Sequence, residues 1–293
     1  LSNHRSMDKL HTYGDDDLSC SIKGVARFRV SIMKQRGSLA AVIRVVHFEI
    51  PRPEDMNIPP EVIRTANLKK GLVLVTGAAG SGKSTTLACI IDEINRTRNS
   101  HIITLEDPIE YLHRHNRSVV TQREIGLDTD SYVNGLVASL RQAPDVILLG
   151  EMRDFDTIKT AMTAAETGHL VISTLHTIGS ANSIDRIIDV FPPDGQQQIR
   201  VQLAMVLQAV ISQQLVPTVT GSMVPAFEIM FLNDAIRTMV REGKIHQIDN
   251  VIATSMAEGM ISMNNSLLRE GKISRDTCIS YSSDPEQMQM RLM

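Results

Sequence analysis

Cysteine and aromatic residues are scarce in this sequence of 293 residues. The three cysteines, Cys20, Cys89 and Cys278, lie far apart and form no C-x-x-C pair. They argue against a disulfide framework and against a zinc knuckle, and they fit a reducing cytoplasm. Tryptophan is absent and aromatic residues make up 3% of the chain, so it has few of the stacking surfaces that bind single-stranded nucleic acids.

A long apolar run and a large net charge are also missing. No apolar run approaches the ~18 residues that a membrane-spanning helix needs. The net charge of −3 gives no general attraction to nucleic acid, although a local basic groove stays open as an alternative. With 42% hydrophobic and 22% charged residues the composition is typical of a soluble globular protein, and the length predicts about two domains.

The most informative segment is a glycine-rich stretch that begins at Gly77. Residues 77–84 match the phosphate-binding pattern G-x-x-x-x-G-K-[ST], between an apolar run at 72–76 and apolar residues at helical spacing. In such a strand–turn–helix unit, backbone N–H groups and a helix N-terminus converge on an anion. We therefore expect ATP to bind here, with Lys83 at the β- and γ-phosphates and the Ser84 hydroxyl on Mg²⁺; an ordinary glycine turn is the alternative. The predicted nucleotide-binding residues are Gly77, Ala78, Ala79, Gly80, Ser81, Gly82, Lys83, Ser84 and Thr85.

Changes of pattern along the chain predict its organisation. Residues 1–50 are expected to form a first domain, in which 1–11 are polar and 21–46 are typical of strands, with Arg29 on the polar face of one of them. The segment 51–60 contains four prolines and is expected to be a linker. From 61 to 217, helical patterns alternate with apolar strands at 72–76, 102–105, 146–149 and 170–174, which predicts a parallel sheet with helices on both faces. Residues 218–293 are expected to add a last strand and a helical region.

One apolar stripe near the end of the predicted core has helical spacing. It comprises Ile199, Leu203, Val206, Leu207, Val210 and Ile211. The spacing predicts one core-facing helix across all six residues, and the glutamines at 196–198 leave an aggregation-prone segment as the alternative.

Polar side chains follow three of the predicted strands. Glu106 and Asp107 come after 102–105, Glu151 follows 146–149, and His176 follows 170–174. Ligands of open parallel sheets bind at the carboxyl ends of the strands, so we expect these groups to meet near the glycine-rich loop. We predict that Glu106 positions the attacking water, that Glu151 binds Mg²⁺ and that His176 senses the γ-phosphate. The sequence alone leaves the two glutamate roles exchangeable, and either carboxylate could instead cap a helix.

Together these segments resemble the motifs of the secretion ATPase superfamily. Residues 77–85, 105–111, 141–154 and 167–177 are similar, in this order, to its Walker A, Asp-box, Walker B and His-box segments. Within the superfamily, residues 235–244 resemble a C-terminal motif of the type IV pilus retraction ATPases (PilT-like).

The resemblance implies a fold, an activity and an assembly. The implied fold is α/β: a RecA-like P-loop domain with a mostly parallel sheet, preceded by a partial PAS-like α+β domain and followed by a small helical C-terminal region. The implied protein is a homohexameric, Mg²⁺-dependent ATPase that powers pilus retraction. It would act in the cytoplasm, at the inner face of the cytoplasmic membrane, with a platform protein and the pilin machinery as partners and without nucleic acid.

Arginines of the N-terminal domain complete an adjacent ATP site in that family. Arg29 and Arg44 fall at the matching positions of this sequence. An arginine that a neighbouring subunit supplies to an ATP site raises the rate of hydrolysis by about 10³–10⁵-fold. Alternatively, the two arginines only form a solvated face of their strands. The family's N-terminal domain normally extends further upstream, and ~50 residues are at the margin of what can bury a stable core. We therefore expect part of its apolar face to be exposed.

Other functions are compatible with parts of this pattern. A pilus-extension or type II secretion ATPase shares the four motifs, but such proteins commonly carry a four-cysteine zinc insert, and this sequence has no C-x-x-C. A nucleic-acid translocase on a RecA-like core is disfavoured by the acidic balance and the scarce aromatics. A nucleotide-bound scaffold without turnover would not need every catalytic position filled.

Overall fold

The computed structural model describes residues 8–22, 26–46 and 49–293, and its N-terminal part is a small antiparallel sheet. A short helix, α1 (Asp8–Tyr13), precedes the strands β1 (Asp15–Ile22), β2 (Ala26–Gln35) and β3 (Ser38–Val46). The central strand, β2, pairs with both neighbours. It turns into β3 at residues 36 and 37, both with positive φ, as a tight hairpin requires.

Apolar side chains of β3 are exposed, as the sequence predicts. In the described part of the sheet β3 is an edge strand that pairs with β2 alone. Leu39, Val42, Ile43 and Val45 are 59%, 52%, 56% and 58% exposed. Because Val42 and Ile43 are consecutive, they point to opposite faces of the strand, and both faces of β3 are open to solvent.

The larger part of the chain is a seven-stranded sheet enclosed by helices. Its order is β10-β9-β4-β8-β7-β5-β6; β10 runs antiparallel to β9, and the other pairings are parallel. This confirms the predicted α/β fold with a mostly parallel sheet. The elements in chain order are α2 (Pro60–Ile63), β4 (Gly71–Thr76), α3 (Lys83–Thr97), β5 (His101–Glu106), β6 (Val119–Glu124), α4 (Tyr132–Ser139), β7 (Val146–Leu149), α5 (Phe155–Glu166), β8 (Leu170–Leu175), α6 (Ser180–Asp189), α7 (Gln196–Val206), β9 (Leu207–Pro217) and β10 (Met223–Phe231).

Helices cover both faces of this sheet, and β4 shows why. Leu72 and Leu74 belong to the hydrophobic core on one face, whereas Val73 and Val75 belong to the core on the other. All four side chains are fully buried, and each such burial stabilises the fold by about 1.5–3 kcal/mol. A strand that is buried on both sides has no polar face, which explains its continuous apolar sequence.

The prediction of one helix from Ile199 to Ile211 is wrong in its second half. Helix α7 ends at Val206, and Leu207 begins β9. Leu207, Val210 and Ile211 are buried in the sheet, where β9 lies between β4 and β10. An apolar run buried on both faces carries no strand period, so its spacing imitates a helix and only the pairing with distant strands decides its structure.

A helical region follows the sheet, as predicted. Its elements are α8 (Asp234–Glu242), α9 (Ile248–Thr254), α10 (Met263–Glu270), α11 (Arg275–Tyr281) and α12 (Pro285–Arg291). Gly243 and Gly271 end α8 and α10 with φ of +72° and +62°, a left-handed conformation that glycine adopts without strain. Among the described residues, none of the helices has both the length and the apolar character needed to cross a bilayer.

The predicted division into 1–50, 51–60, 61–217 and 218–293 stays a prediction. Residues 50–59 contain neither a helix nor a strand. Strand β10 lies beyond residue 217 and joins the same sheet as β4.

Candidate active site

Four neighbouring strands end at one edge of the large sheet. Strands β4, β8, β7 and β5 are adjacent and parallel, so their carboxyl ends point the same way. The glycine-rich loop follows β4, and His176, Glu151 and Glu106 lie at the ends of the other three. A cavity of about 270 Å³ at this edge, here called the loop cavity, is lined by Ala79, Gly80, Lys83, Ser84, Glu106, Glu151 and His176, among others. The structure thus brings together the residues that the sequence analysis assigned to phosphate, metal and water.

The glycines of the loop allow a backbone path that side chains would block. Gly77 has φ of +142°, and a Cβ there would lie 2.2 Å from the Gln213 carbonyl oxygen. Gly82, at φ +91°, is the N-cap of α3 and has no capping side chain. The first N–H groups of α3 therefore have no intrahelical acceptor and carry the positive end of the helix dipole. This arrangement binds anions, phosphate in particular.

Lys83 is held inside the loop. It is 8% exposed, and its Nζ donates to the carbonyl oxygens of Gly77 (2.8 Å) and Ala78 (2.9 Å). Burial lowers the pKa of Lys83, and the charges of Glu110 and Glu151 oppose that shift. An ammonium group has three donors, so one stays available for a phosphate oxygen.

Two more polar residues lie at the loop: Ser81 within it and Gln213 on the neighbouring strand β9. Ser81 Oγ is buried without a hydrogen-bond partner among the described residues, which fits a loop that receives a polar ligand. Gln213, on β9, accepts a hydrogen bond from Thr86 Oγ1 (2.7 Å) and supports the first turn of α3. The sequence analysis missed Gln213, because it lies within a strand and outside every motif.

Glu151, just after β7, contacts two basic side chains. Its Oε2 lies 2.7 Å from Arg153 Nε and 3.4 Å from His176 Nε2. Thr174 Oγ1 donates to the Gly150 carbonyl (2.5 Å), which fixes the residue before Glu151 against β8. Glu151 lines the loop cavity together with Lys83 and Ser84, and its charge, after that of Glu110, raises the pKa of Lys83 against the effect of burial.

Glu106 is held by neighbours on its own face of the sheet. Its Oε1 accepts hydrogen bonds from Thr104 Oγ1 (2.6 Å) and Gln122 Nε2 (3.1 Å). Burial raises the pKa of Glu106, and these two hydrogen bonds oppose the shift. Thr104 and Gln122 carry no motif signal, and the sequence analysis did not single them out.

Two tyrosines also line the loop cavity. Tyr111 shares a hydrogen bond between its hydroxyl and Thr85 Oγ1 (2.9 Å). A Cβ on Gly150 would lie 2.8 Å from the Tyr132 hydroxyl, which shows how closely the ring approaches that strand end. Burial, with the charges of nearby carboxylates, Glu151 first, raises the pKa of Tyr132, so its hydroxyl stays neutral. Tyr132 begins a helix outside all four motifs.

The N-terminal sheet contacts the same edge of the core. A second cavity, of about 450 Å³, is lined by Arg29 together with Asp107, Pro108 and Glu124, and the first two of these core residues also line the loop cavity. Arg27 Nη2 lies 2.7 Å from Glu124 Oε2, in an ion pair whose side chains are 18% and 5% exposed.

The two predicted arginines occupy different environments. Arg29 lies beside Asp107 of its own chain, and its charge acts on that carboxylate. Arg44 lies opposite Arg29 on β3, is exposed, and lines neither cavity. Within one chain the structure brings Arg29, but not Arg44, to the edge of the site.

The sequence of residues 15–271 matches the family described as Type II/IV secretion system protein. The chain belongs to this family. The match confirms the superfamily to which the four motifs point.

Within the Type II/IV secretion system family, the chain is similar to proteins of pilus retraction. The chain is 41% identical over 289 residues to the type IV pilus retractation ATPase PilT of Pseudomonas aeruginosa, covering 98% of this chain and 84% of that protein. It is 45% identical over 276 residues to a twitching motility protein of Neisseria gonorrhoeae, covering 93% and 74%. Its structure superposes on a crystal structure of the pilus retraction motor PilT with bound ADP, with a TM-score of 0.92, 44% identity, and 99% and 84% of the two chains covered. The resemblance to pilus retraction ATPases is thereby confirmed.

No group of three or more His, Cys, Asp or Glu side chains forms a metal site in the described part of the chain. Mg²⁺ in nucleotide sites is commonly held by one or two protein oxygens together with phosphate oxygens and water. The Ser84 hydroxyl and the Glu151 carboxylate are oxygen donors of the kind that Mg²⁺ prefers.

Proposed function

We propose that this chain is a subunit of an ATP-hydrolysing motor that powers retraction of type IV pili. The observation that carries the proposal is the convergence of the glycine-rich loop, Glu106, Glu151 and His176 on one cavity. The similarity to a pilus retractation ATPase over 98% of the chain supports the same function, and a related structure holds ADP.

Each residue has a role in the proposed hydrolysis. Lys83 and the N–H groups of the loop bind the phosphates, and Glu106 orients the attacking water and accepts its proton. His176 contacts the γ-phosphate, and this contact is lost when phosphate leaves. Ser84 and Glu151 are the residues that would hold Mg²⁺, which would supply positive charge to the phosphates when bound. Glu151 is proposed for the metal role because it lines the loop cavity together with Lys83 and Ser84.

We further propose that the chain acts as a homohexamer. Arg29 and Arg44 would then complete the ATP site of a neighbouring subunit. The motor would act in the cytoplasm, peripheral to the inner face of the cytoplasmic membrane, with the pilus platform protein and the pilin machinery as partners. A role in pilus extension or secretion is the alternative. Expressing this chain in strains that lack their own retraction or extension ATPase distinguishes the two functions. Restored twitching would support retraction, and restored pilus assembly would support extension.

We expect ATP turnover per subunit to rise with protein concentration as rings form, because a trans arginine contributes about 10³–10⁵ in rate. Turnover and particle mass are measured together over the same concentration range. The rise should coincide with the appearance of particles of about 194 kDa, the mass of six 32.4 kDa chains.

Hydrolysis that is equally fast at the monomer mass would contradict the assembly proposal, and absence of hydrolysis at the ring mass would contradict the ATPase. DNA-stimulated hydrolysis would favour the translocase.

Mixing two inactive variants tests whether Arg29 acts on a neighbouring subunit. An Arg29→Ala chain retains the loop, and a Lys83→Ala chain retains the arginine, so mixed rings should regain part of the wild-type turnover. The matched control mixes Arg29→Ala with a chain that carries both substitutions, which cannot supply the arginine. Lack of rescue at every mixing ratio would place the action of Arg29 within its own chain, where it already lies beside Asp107.

A further inference from the structure

Three polar side chains share one face of the sheet beside the loop cavity. In the parallel pairing of β5 and β6, Thr104 lies opposite Gln122, and Glu106 follows two residues later on the same face of β5. Thr104 is fully buried and its neighbour on the other side is the apolar Leu148. A buried hydroxyl in such a position needs a hydrogen-bond acceptor, and Glu106 supplies it.

Both neighbours donate to the same oxygen of Glu106. Thr104 Oγ1 lies 2.6 Å and Gln122 Nε2 3.1 Å from Glu106 Oε1. Neither side chain donates to Oε2. The Glu110 N–H also acts on this carboxylate, which with about four acceptor sites can still accept a proton from water. Two donors of fixed position restrict the rotation of a carboxylate that would otherwise turn about its side-chain bonds.

The Gln122 amide is itself fixed on both sides. Its Nε2 also donates to the Tyr111 carbonyl oxygen (2.9 Å), and its Oε1 accepts from the His113 N–H (2.8 Å). Turning the amide over would place its oxygen against the Glu106 carboxylate and its nitrogen against an N–H donor. Gln122 therefore ties Glu106 to the segment 107–113, several residues of which line the loop cavity.

We propose that Thr104 and Gln122 are positioning residues that hold the Glu106 carboxylate in the orientation required to activate water. The inference rests on the proposed ATPase function and on the role of Glu106 as base. A general base must lie within hydrogen-bond reach of the proton that it abstracts, and a misplacement of about 1 Å can cost about 10²-fold in rate. Thr104 and Gln122 act through Glu106 and need no contact with the nucleotide.

Thr104→Val removes the hydroxyl and keeps the shape, whereas Thr104→Ser keeps the hydroxyl. We expect Thr104→Val to lower kcat by roughly 10- to 100-fold, the effect of one lost hydrogen bond to a charged group. KM and the Kd of a non-hydrolysable ATP analogue should stay unchanged. Thr104→Ser should retain kcat within about threefold, because a hydrogen bond to the carboxylate can still form.

A double-mutant cycle separates positioning from a structural role. If Thr104 acts only through Glu106, adding Thr104→Val to Glu106→Gln should lower the residual turnover no further. An equal loss in both backgrounds, or an equal loss in the Val and Ser variants, would overturn the proposal. If Thr104→Val does not fold, as judged by its melting curve, the same cycle with Gln122→Met decides the question.

Measurements on the wild-type protein and on Glu106→Gln distinguish failure of the ATPase proposal from failure of the positioning proposal. Absence of turnover in the wild type would count against the ATPase itself. Turnover that survives Glu106→Gln would move the base elsewhere and end the positioning proposal with it. Full turnover in the folded Thr104→Val variant, with Glu106→Gln inactive, would overturn the positioning role alone.

Discussion

Replacing Lys83 with alanine is expected to abolish ATP binding, with Kd for ATP rising by about 100-fold or more. The substitution removes the positive charge of Lys83 and the one ammonium donor that stays available for a phosphate oxygen, a hydrogen bond worth about 1.5–3 kcal/mol. It also removes the donor that joins the Gly77 and Ala78 carbonyl oxygens, so the loop loses an internal support. Titration with a fluorescent ATP analogue or by calorimetry measures the loss directly.

A second lysine provides the control for Lys83. Lys159 lies on α5 with its Nζ 5.6 Å from the centre of the Phe155 ring, and it does not line the loop cavity. Lys159→Ala should bind ATP like the wild type. Unchanged, tight binding by Lys83→Ala would show that the loop beginning at Gly77 is not the nucleotide site.

Glu106→Gln is expected to reduce ATP turnover by about 10²–10⁴-fold while ATP still binds. General-base catalysis contributes rate factors of this size, and an amide cannot accept the proton of the attacking water. The side chain keeps its shape and can still accept from Thr104 through its carbonyl oxygen, so the fold should be maintained. Phosphate release under saturating ATP measures turnover, and binding of a non-hydrolysable analogue measures affinity.

The control for Glu106 is an exposed glutamate outside the cavity. Glu166 ends α5 and is exposed, so Glu166→Gln should leave turnover unchanged. Loss of binding in Glu106→Gln would mean that this carboxylate serves the metal or the nucleotide. Unchanged turnover would transfer the role of base to Glu151, the alternative that the sequence leaves open.

The features predictable from the sequence are those that neighbouring residues determine. The loop at 77–85 depends on glycines at fixed offsets between a strand and a helix, all within one short segment. The positions of Glu106, Glu151 and His176 follow from the rule that parallel strands place their carboxyl ends at one edge. The glycines that end α8 and α10 are equally local.

The features that the sequence did not reveal depend on pairing between distant segments. Leu207 belongs to a strand because β4 and β10 lie on either side of it. Gln122 reaches Glu106 only because β6 pairs with β5 in one register, and Gln213 reaches the loop only from β9. Tyr132 approaches Gly150 from the start of a helix that no motif marks. Each contact requires the complete sheet.

The ion pair between Arg27 and Glu124 has a mechanical consequence. Glu124 Oε2 also accepts a hydrogen bond from the Ile109 N–H (3.2 Å), three residues beyond Glu106. One buried carboxylate therefore joins the small antiparallel sheet to the turn that follows β5. A displacement of that turn would therefore act on β2 through the side chain of Glu124.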